Sequence, residues 1–184
     1  LIGFFFLFPS AVQAATLTLS PVNSSVSVGA TFTETVFVSS ADQAMNAVFG
    51  TISFPPDLLQ VVSVSKSASL LSLWVQEPTF SNNDGTVSFS GIVPNPGYLG
   101  SRGRVLTIEF RAKRAGSAAI TFGSSSQVLA NDGNGTDILN DTSGVSVTIS
   151  TPAEKPQAPP SSTVSNGDLL ALITSSSHPD QARW

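Results

Sequence analysis

Cysteine is absent from this 184-residue sequence, and histidine occurs once, as His178. The lack of cysteine excludes disulfide bonds, thiolate nucleophiles and cysteine-ligated zinc. His178 lies in a C-terminal tail between serine and proline residues, where the fixed geometry of a Ser-His-Asp triad or a histidine-rich metal site is not expected. These absences predict a protein that is not an enzyme.

Charged residues are also scarce: they make up 11% of the chain, and the formal net charge is -4 at pH 7. A nucleic-acid-binding protein normally needs a basic surface, so we expect no nucleic-acid partner. A glycoside hydrolase would need two carboxylates about 5 to 10 Å apart in a cleft. The spacing of Glu34, Glu77 and Glu109 brings no two of them together, and we expect Glu34 and Glu109 to be solvated on outward strand positions.

The positive charge is concentrated in one stretch, "GSRGRVLTIEFRAKRAGSAAITF". It contains five of the eight Lys and Arg residues, namely Arg102, Arg104, Arg111, Lys113 and Arg114. These charges bracket an apolar strand, where they keep the strand soluble and oppose edge-to-edge aggregation. We interpret them as the two charged ends of a strand rather than as one basic patch.

The chain begins with "LIGFFFLFPSAVQA", an apolar run followed by proline and small residues. Residues 1–14 are typical of the end of a secretory signal, with cleavage expected near Ala14 and Ala15. An N-terminal membrane anchor is the alternative, and it would need about 20 apolar residues. We expect a secreted or cell-surface protein, with membrane attachment only through an anchor outside these residues.

Residues 15–150 form the expected domain. Short segments of alternating apolar and polar residues recur through it at spacings typical of an all-β fold. The nine predicted strands form an antiparallel β-sandwich; they are "TLTLSP", "SVSVG", "TFTETVFVSS", "NAVFGTISF", "LQVVSVSKS", "GTVSFSGIV", "GRVLTIEFRA", "GSAAITFG" and "SGVSVTIS".

The alternation also assigns the two faces of each strand. The inward set is Val48, Ile52, Phe54, Leu106, Ile108, Phe110 and Ala112, and the outward set is Ala47, Phe49, Thr51, Val105, Thr107, Glu109 and Arg111. An outward phenylalanine in mid-chain is informative, because a second layer, a loop or a partner must cover it.

Beyond the domain, residues 151–167 are rich in proline and serine and predict a semi-rigid linker. Residues 168–184 are too few to bury a core, and we expect them to be the start of a further, truncated module.

Three stretches carry a resemblance to the cohesin family of bacterial extracellular modules: "VGATFTETVFVSSADQAMNAVFGTISFPPDLLQVVSVS", "GRVLTIEFRAKRAGSAAITF" and "VLANDGNGTDI". Their order and spacing resemble this family across residues 15–150. The resemblance implies a nine-stranded jelly-roll sandwich, similar to immunoglobulin-like and carbohydrate-binding modules. It also implies no catalytic machinery and a role in holding a dockerin-like or other extracellular protein module, or a polysaccharide.

The resemblance further implies docking by one flat sheet face. In cohesins that bind dockerins well, an Asn and an Asp point outward from the third strand, and Ala47 and Phe49 stand at the matching positions. We therefore expect a more apolar face and weakened recognition of an ordinary dockerin. The predicted partner-binding set is Ala47, Phe49, Thr51, Ser88, Ser90, Thr107 and Glu109, with the last two beside Phe49.

Two other functions compete with this interpretation. A carbohydrate-binding module would use loop-borne aromatic rings, for which Trp74 and Tyr98 are the candidates. A structural spacer in an adhesin or surface protein would need neither surface.

Oxygen-bearing side chains are concentrated in the loop "ANDGNGTDILND". Asp132, Asn134 and Asp137 form a weak candidate for a structural Ca²⁺ site. The loop departs from the EF-hand pattern, and an ordinary Gly/Asn turn between strands is the favoured interpretation. We therefore expect no cofactor beyond this weak candidate.

Overall fold

The structure is a computed structural model and describes residues 14–20 and 25–152. Within these residues it contains eleven strands: β1 (Ala15–Ser20), β2 (Ser25–Ser27), β3 (Thr31–Ser53), β4 (Leu59–Ser65), β5 (Leu73–Ser81), β6 (Thr86–Ile92), β7 (Tyr98–Ala112), β8 (Gly116–Phe122), β9 (Gln127–Ala130), β10 (Leu139–Ser143) and β11 (Val145–Ser150). The all-β prediction is confirmed, and the pairing is antiparallel as predicted except for two pairs, β1–β10 and β2–β11, which are parallel. In this part of the chain no helix is long and apolar enough to cross a membrane.

The long strand β3 belongs to both layers of the fold. Its first half pairs with β1 and β7, and its second half pairs with β6, β9 and the end of β8. One layer therefore runs β10, β1, β3, β7, β4, while the other contains β5, β6, β3, β9, β8, β11 and β2. The segment between the halves carries register shifts and a hydrogen bond of 2.5 Å from Ser40 Oγ to the Gln43 carbonyl.

The number of strands differs from the prediction because β3 joins two predicted strands and because β5, β9 and β10 are additional. Strand β5 was hidden in the sequence by Glu77 and Pro78, which interrupt its alternation. Proline is tolerated there because β5 pairs with β6 alone among the described strands, and an edge strand does not need every N–H in its ladder.

The two layers enclose one apolar core. The ring of Phe110 stacks on Phe32 at 5.6 Å between centroids and meets Phe54 edge-on at 5.4 Å. Leu106 and Ile108 are fully buried beside it, as the alternation predicted. Such rings contribute more than their buried area because of their mutual geometry.

The outward assignment of Val105 is wrong, because its side chain is fully buried. Val36 pairs with Leu106, but the next residue, Phe37, pairs with Arg104. Val105 is thus the additional residue of a β-bulge, which interrupts the alternation of β7.

The expectation that Glu34 is solvated is also wrong. Glu34 shares the inward face of β3 with Phe32 and Val36, lies opposite Ile108 and is 0% exposed. Neither carboxyl oxygen has a hydrogen-bond partner among the described residues. Burial raises the pKa of Glu34 from 4.5 to about 7, because the charged form loses its hydration.

The basic turn after β7 holds the turn that precedes β4. Lys113 Nζ donates to the Pro56 carbonyl at 2.6 Å, and the Lys113 amide donates to the Leu58 carbonyl at 2.7 Å. Arg114 forms an ion pair with Asp57. These two charges thus connect neighbouring turns, in addition to ending a strand.

The predicted linker and further module, apart from Thr151 and Pro152, lie outside the described residues, as do residues 1–13 of the predicted signal at 1–14.

Candidate functional site

The outer surface of β5, β6, the second half of β3 and β9 is called here the open face. Cross-strand pairing arranges its outward side chains in three rows. The first row is Leu73, Ile92, Ala47 and Leu129; the second is Gln76, Ser90, Phe49 and Gln127; the third is Thr79, Ser88 and Thr51. No residue in these three rows carries a formal charge.

Phe49 lies at the middle of the open face and is half-buried. Its cross-strand neighbours are Ser90 on β6 and Gln127 on β9. Ser90 is only 5% exposed, and its hydroxyl has no hydrogen-bond partner among the described residues. The centre of the face is therefore an aromatic ring with an unsatisfied hydroxyl beside it.

Ala47 is the outward residue of β3 in the apolar row, yet it is only 6% exposed. The strands on both sides place Ile92 and Leu129 next to it, so its methyl group lies low between larger neighbours. Ala47 therefore contributes little accessible surface of its own, although it points outward.

The edge strand β5 adds exposed apolar area to the open face. Leu73, in the first row, is 58% exposed. It continues the apolar row of Ile92, Ala47 and Leu129 to the edge of the sheet. At the same edge Lys66 and Glu77 form an ion pair at 2.5 Å.

The turn before β9 closes the third row. Ser126 Oγ lies 3.3 Å from the Thr51 amide, and the Ser125 hydroxyl donates to Thr51 Oγ1 at 3.3 Å. The amide of Gly123 donates to the Thr51 carbonyl at 2.7 Å. These bonds hold the end of β3 against the turn, so the predicted site residue Thr51 is firmly placed.

The predicted position of Thr107 and Glu109 beside Phe49 is wrong. Both residues lie on β7, which pairs with the first half of β3, so they are on the outer surface of the other layer. Thr107 Oγ1 lies 3.2 Å from Thr35 Oγ1, and Ser63 donates to Glu109 at 2.9 Å. β6 occupies the place beside Phe49 instead. The structure thus brings together Ala47, Phe49, Thr51, Ser88 and Ser90.

The open face also contains residues that the sequence did not single out. Leu73, Gln76 and Thr79 come from the hidden strand β5, while Gln127 and Leu129 come from β9, whose four residues are a short run for recognition by alternation. Ile92, at the end of a predicted strand, was the one that alternation could have assigned.

Trp74 and Tyr98, the alternative carbohydrate-binding residues, lie in strands rather than loops, and both rings pack against the core. The Tyr98 ring lies over β7, where a Cβ at Gly100 or Gly103 would approach it to less than 3.0 Å, and its hydroxyl accepts from the Arg102 amide at 3.1 Å. Lys66 Nζ lies 5.5 Å from the centre of the Trp74 ring. Both rings thus have packing roles, and their part in sugar binding stays a prediction.

In the loop of the weak Ca²⁺ candidate, the carboxylates of Asp132 and Asp137 accept hydrogen bonds from groups of the loop and the residues next to it. Asp132 accepts from the Thr136 hydroxyl at 2.5 Å and from the Asn134 amide at 2.8 Å, and these bonds lower the pKa of Asp132. Asp137 accepts from the amides of Val128 and Leu139 at 3.2 and 3.0 Å. Within the described residues no group of three or more His, Asp or Glu side chains could hold a metal ion.

Comparison with known proteins places this geometry in a family. The model of the cohesin domain matches residues 16–150. A search of curated proteins found no match.

Solved structures with the same fold include several cohesins. The seventh ScaB type I cohesin from Pseudobacteroides cellulosolvens has a TM-score of 0.63 at 13% identity, over 79% of this chain and 98% of its own. A non-cellulosomal cohesin from the archaeon Archaeoglobus fulgidus has a TM-score of 0.58 at 18% identity, over 75% and 92%. A cohesin–dockerin complex from Clostridium thermocellum matches with a TM-score of 0.59 at 13% identity, over 74% and 99%.

These likenesses confirm the predicted jelly-roll β-sandwich, and the domain match covers most of the chain. The chain belongs to the cohesin family.

Proposed function

We propose that this chain is a non-catalytic protein-interaction module that binds a dockerin-like partner through the open face. The observation that carries the proposal is the open face itself: an uncharged sheet surface with Phe49 at its centre and exposed Leu73 at its edge. Membership of the cohesin family supports it, because a solved relative from Clostridium thermocellum is a cohesin–dockerin complex.

The chemistry of the rows suggests how a partner is held. The apolar row and Phe49 exclude water from the centre of the contact, while Ser88, Gln76 and Gln127 offer hydrogen bonds around it. This arrangement of an aromatic anchor within a polar rim is common at protein interfaces. Since no residue in the rows is charged, binding draws its energy from apolar burial rather than from ion pairs.

The hydroxyl of Ser90 is buried next to Phe49 and has no hydrogen-bond partner among the described residues. A docked partner cannot reach it without moving the side chains around it, so the hydrogen bonds of the face come from the exposed polar residues of the rows.

The setting of this function is proposed to be extracellular. Its support is the sequence of residues 1–14, which has the apolar run and small residues of a secretory signal. Residues 151–167 would then tether the module to the rest of an exported protein.

Capture and titration test the proposal. The immobilised 184-residue chain is exposed to the secreted proteins of its source organism, and a retained dockerin-bearing protein is purified and titrated by calorimetry. Phe49→Asp should abolish binding, while Thr107→Ala, on the other layer, should leave it unchanged.

Three results would count against docking by the open face. They are retention of no dockerin-bearing protein, equal binding by Phe49→Asp, and loss of binding by Thr107→Ala. Retention on cellulose, xylan or chitin that Trp74→Ala abolishes would favour the carbohydrate-binding alternative, and failure of both assays would favour a spacer.

A further inference from the structure

A second cluster of chemically active side chains lies on the outer surface of the other layer. The guanidinium carbon of Arg102 lies 4.0 Å from the centre of the Phe37 ring. Arg104 is the cross-strand neighbour of Phe37, so two arginines start from positions next to this residue. Phe37, Arg102 and Arg104 are called here the arginine cluster.

The two arginines of this cluster have free charge. The ion pairs within the described residues are Lys66–Glu77 and Arg114–Asp57, and neither involves Arg102 or Arg104. Both side chains are exposed. The Arg102 guanidinium lies over the Phe37 ring, and a guanidinium can form a bidentate contact with a planar anion such as a carboxylate.

Hydroxyl groups lie beside the arginine cluster in its own row and in the row on one side, while the row on the other side contains Ser39, Thr16 and the exposed carboxylate of Asp141. Cross-strand pairing places Ser143 and Thr18 in one row with Phe37 and Arg104. The adjacent row of outward residues is Ser20, Thr35, Thr107 and Ser65. The five exposed large apolar side chains of the described residues, Val62, Leu73, Val75, Phe80 and Leu99, all lie outside these two rows.

This chemistry selects one class of ligand. A protein partner would need an apolar centre for its interface, and these rows contain only the half-buried Phe37 ring already covered by Arg102. A nucleic acid would need an extended basic surface or exposed rings on which bases can stack, and these rows offer only two arginines and one covered ring. A hydrated polysaccharide with one carboxylate per sugar matches the groups on this surface. The two arginines can bind a carboxylate, and the serine and threonine hydroxyls can bond to sugar hydroxyls.

We propose that the arginine cluster binds an acidic polysaccharide, with Arg102 and Arg104 holding a uronate carboxylate and the neighbouring threonine and serine hydroxyls bonding to sugar hydroxyls. This surface is separate from the open face. The module would then bind a protein on one layer and a carboxylated glycan on the other.

Affinity electrophoresis of the 184-residue chain tests this site. Gels contain polygalacturonate, its fully methyl-esterified form, or polyglutamate, each at low and high salt. We expect retardation by polygalacturonate alone, decreasing as salt increases. The double variant Arg102→Ala/Arg104→Ala should bind at least about tenfold more weakly, because two charge-assisted contacts are lost.

The matched control is Arg111→Ala. It removes an equal charge from the same strand, beyond Glu109 and away from the ring, and it should retain most of the binding. Phe37→Leu should weaken binding with both charges retained, because the guanidinium loses its stacking partner. Circular dichroism melts establish that each variant is folded.

Several outcomes would overturn the proposal. They are no retardation by polygalacturonate, equal retardation by the esterified polymer, equal retardation by polyglutamate, and equal weakening by Arg111→Ala. Because none of these variants lies on the open face, failure here leaves the capture experiment with Phe49→Asp unaffected.

Discussion

Gly50 lies directly opposite Phe89 across strands β3 and β6, and the Phe89 ring fills the space where a side chain at residue 50 would be. A Cβ built on Gly50 would lie 2.1 Å from Cζ of that ring. The ring thus packs beneath the strand segment that carries Phe49 outward.

Gly50→Ala should destabilise the fold by about 1 to 3 kcal/mol, because the buried ring must move to accommodate the methyl group. Urea unfolding followed by fluorescence measures the change. In the Gly50→Ala variant, the second change Phe89→Leu should restore part of the lost free energy of unfolding, because the smaller side chain makes room for the methyl group. In the unchanged chain, Phe89→Leu alone should be destabilising. Additive effects of the two changes would contradict the direct contact.

Glu34 should make the stability of the domain depend on pH. Its pKa is raised from 4.5 to about 7 in the folded chain, so the native state holds the proton more tightly than the unfolded state. Its contribution is fully present below pH 4.5 and is lost as the pH rises through about 7. From that shift we expect a loss of about 3 kcal/mol across the window, measured by urea unfolding at several pH values.

The variant Glu34→Gln separates this effect from other titrations. It should remove most of the pH dependence and be more stable than the unchanged chain above the window, since no charge is then buried. Glu109→Gln, an exchange at the partly exposed glutamate that accepts from Ser63, is the matched control. Equal pH profiles for the unchanged chain and Glu34→Gln would show that the carboxyl group does not carry the effect.

Asn131 connects three segments near the open face and should be sensitive to a change of one atom. Its side-chain amide donates to Asn95 Oδ1 at 3.1 Å and to the Pro96 carbonyl at 2.8 Å, and its carbonyl accepts from Asn46 at 3.3 Å. Asn131→Ala should cost about 1 to 2 kcal/mol. Asn131→Asp should cost more, because it places an acceptor against two acceptors, and thermal unfolding compares the two. Equal melting temperatures would argue against these bonds.

Docking by the open face should depend weakly on salt. The rows around Phe49 carry no charge, so raising the ionic strength should change the calorimetric dissociation constant by less than about threefold. Phe49→Leu should retain more binding than Phe49→Asp, because it keeps an apolar group in the centre of the face. The dissociation constant could instead rise steeply with salt while Phe49→Asp still abolishes binding. That result would mean that charges outside the rows contribute to docking.

Much of the fold follows from alternation, which is a local property of each strand. It identified the inward side chains of Val48, Ile52 and Phe110 and the outward Phe49, because successive side chains of a strand point to opposite faces. The same rule applied to Phe32 and Val36 would have placed Glu34 inward. Glu34 was assigned outward because a carboxylate was assumed to be solvated, although the alternation of β3 indicated the opposite side.

Other features depend on residues far away in the chain. The bulge at Val105 is defined by the pairing of β7 with β3 and cannot be recognised from β7 alone. Strand β5 can contain Pro78 because it lies at the edge of its sheet. The basic stretch shows the same limit. The sequence located Arg102 and Arg104 at the start of a strand, whereas their common neighbour Phe37 became visible only through the pairing of β3 with β7.

The all-β class, the side of the strand on which most residues lie, and the family can all be read from the sequence alone. Which outward residues share a surface depends on the folded arrangement of the strands: Phe49 lies with Ser90 and Gln127, while Thr107 and Glu109 lie on the other layer. This is because β3 pairs with different strands along its two halves. Strand pairing is determined by packing across the whole core, whereas alternation is determined by each strand alone.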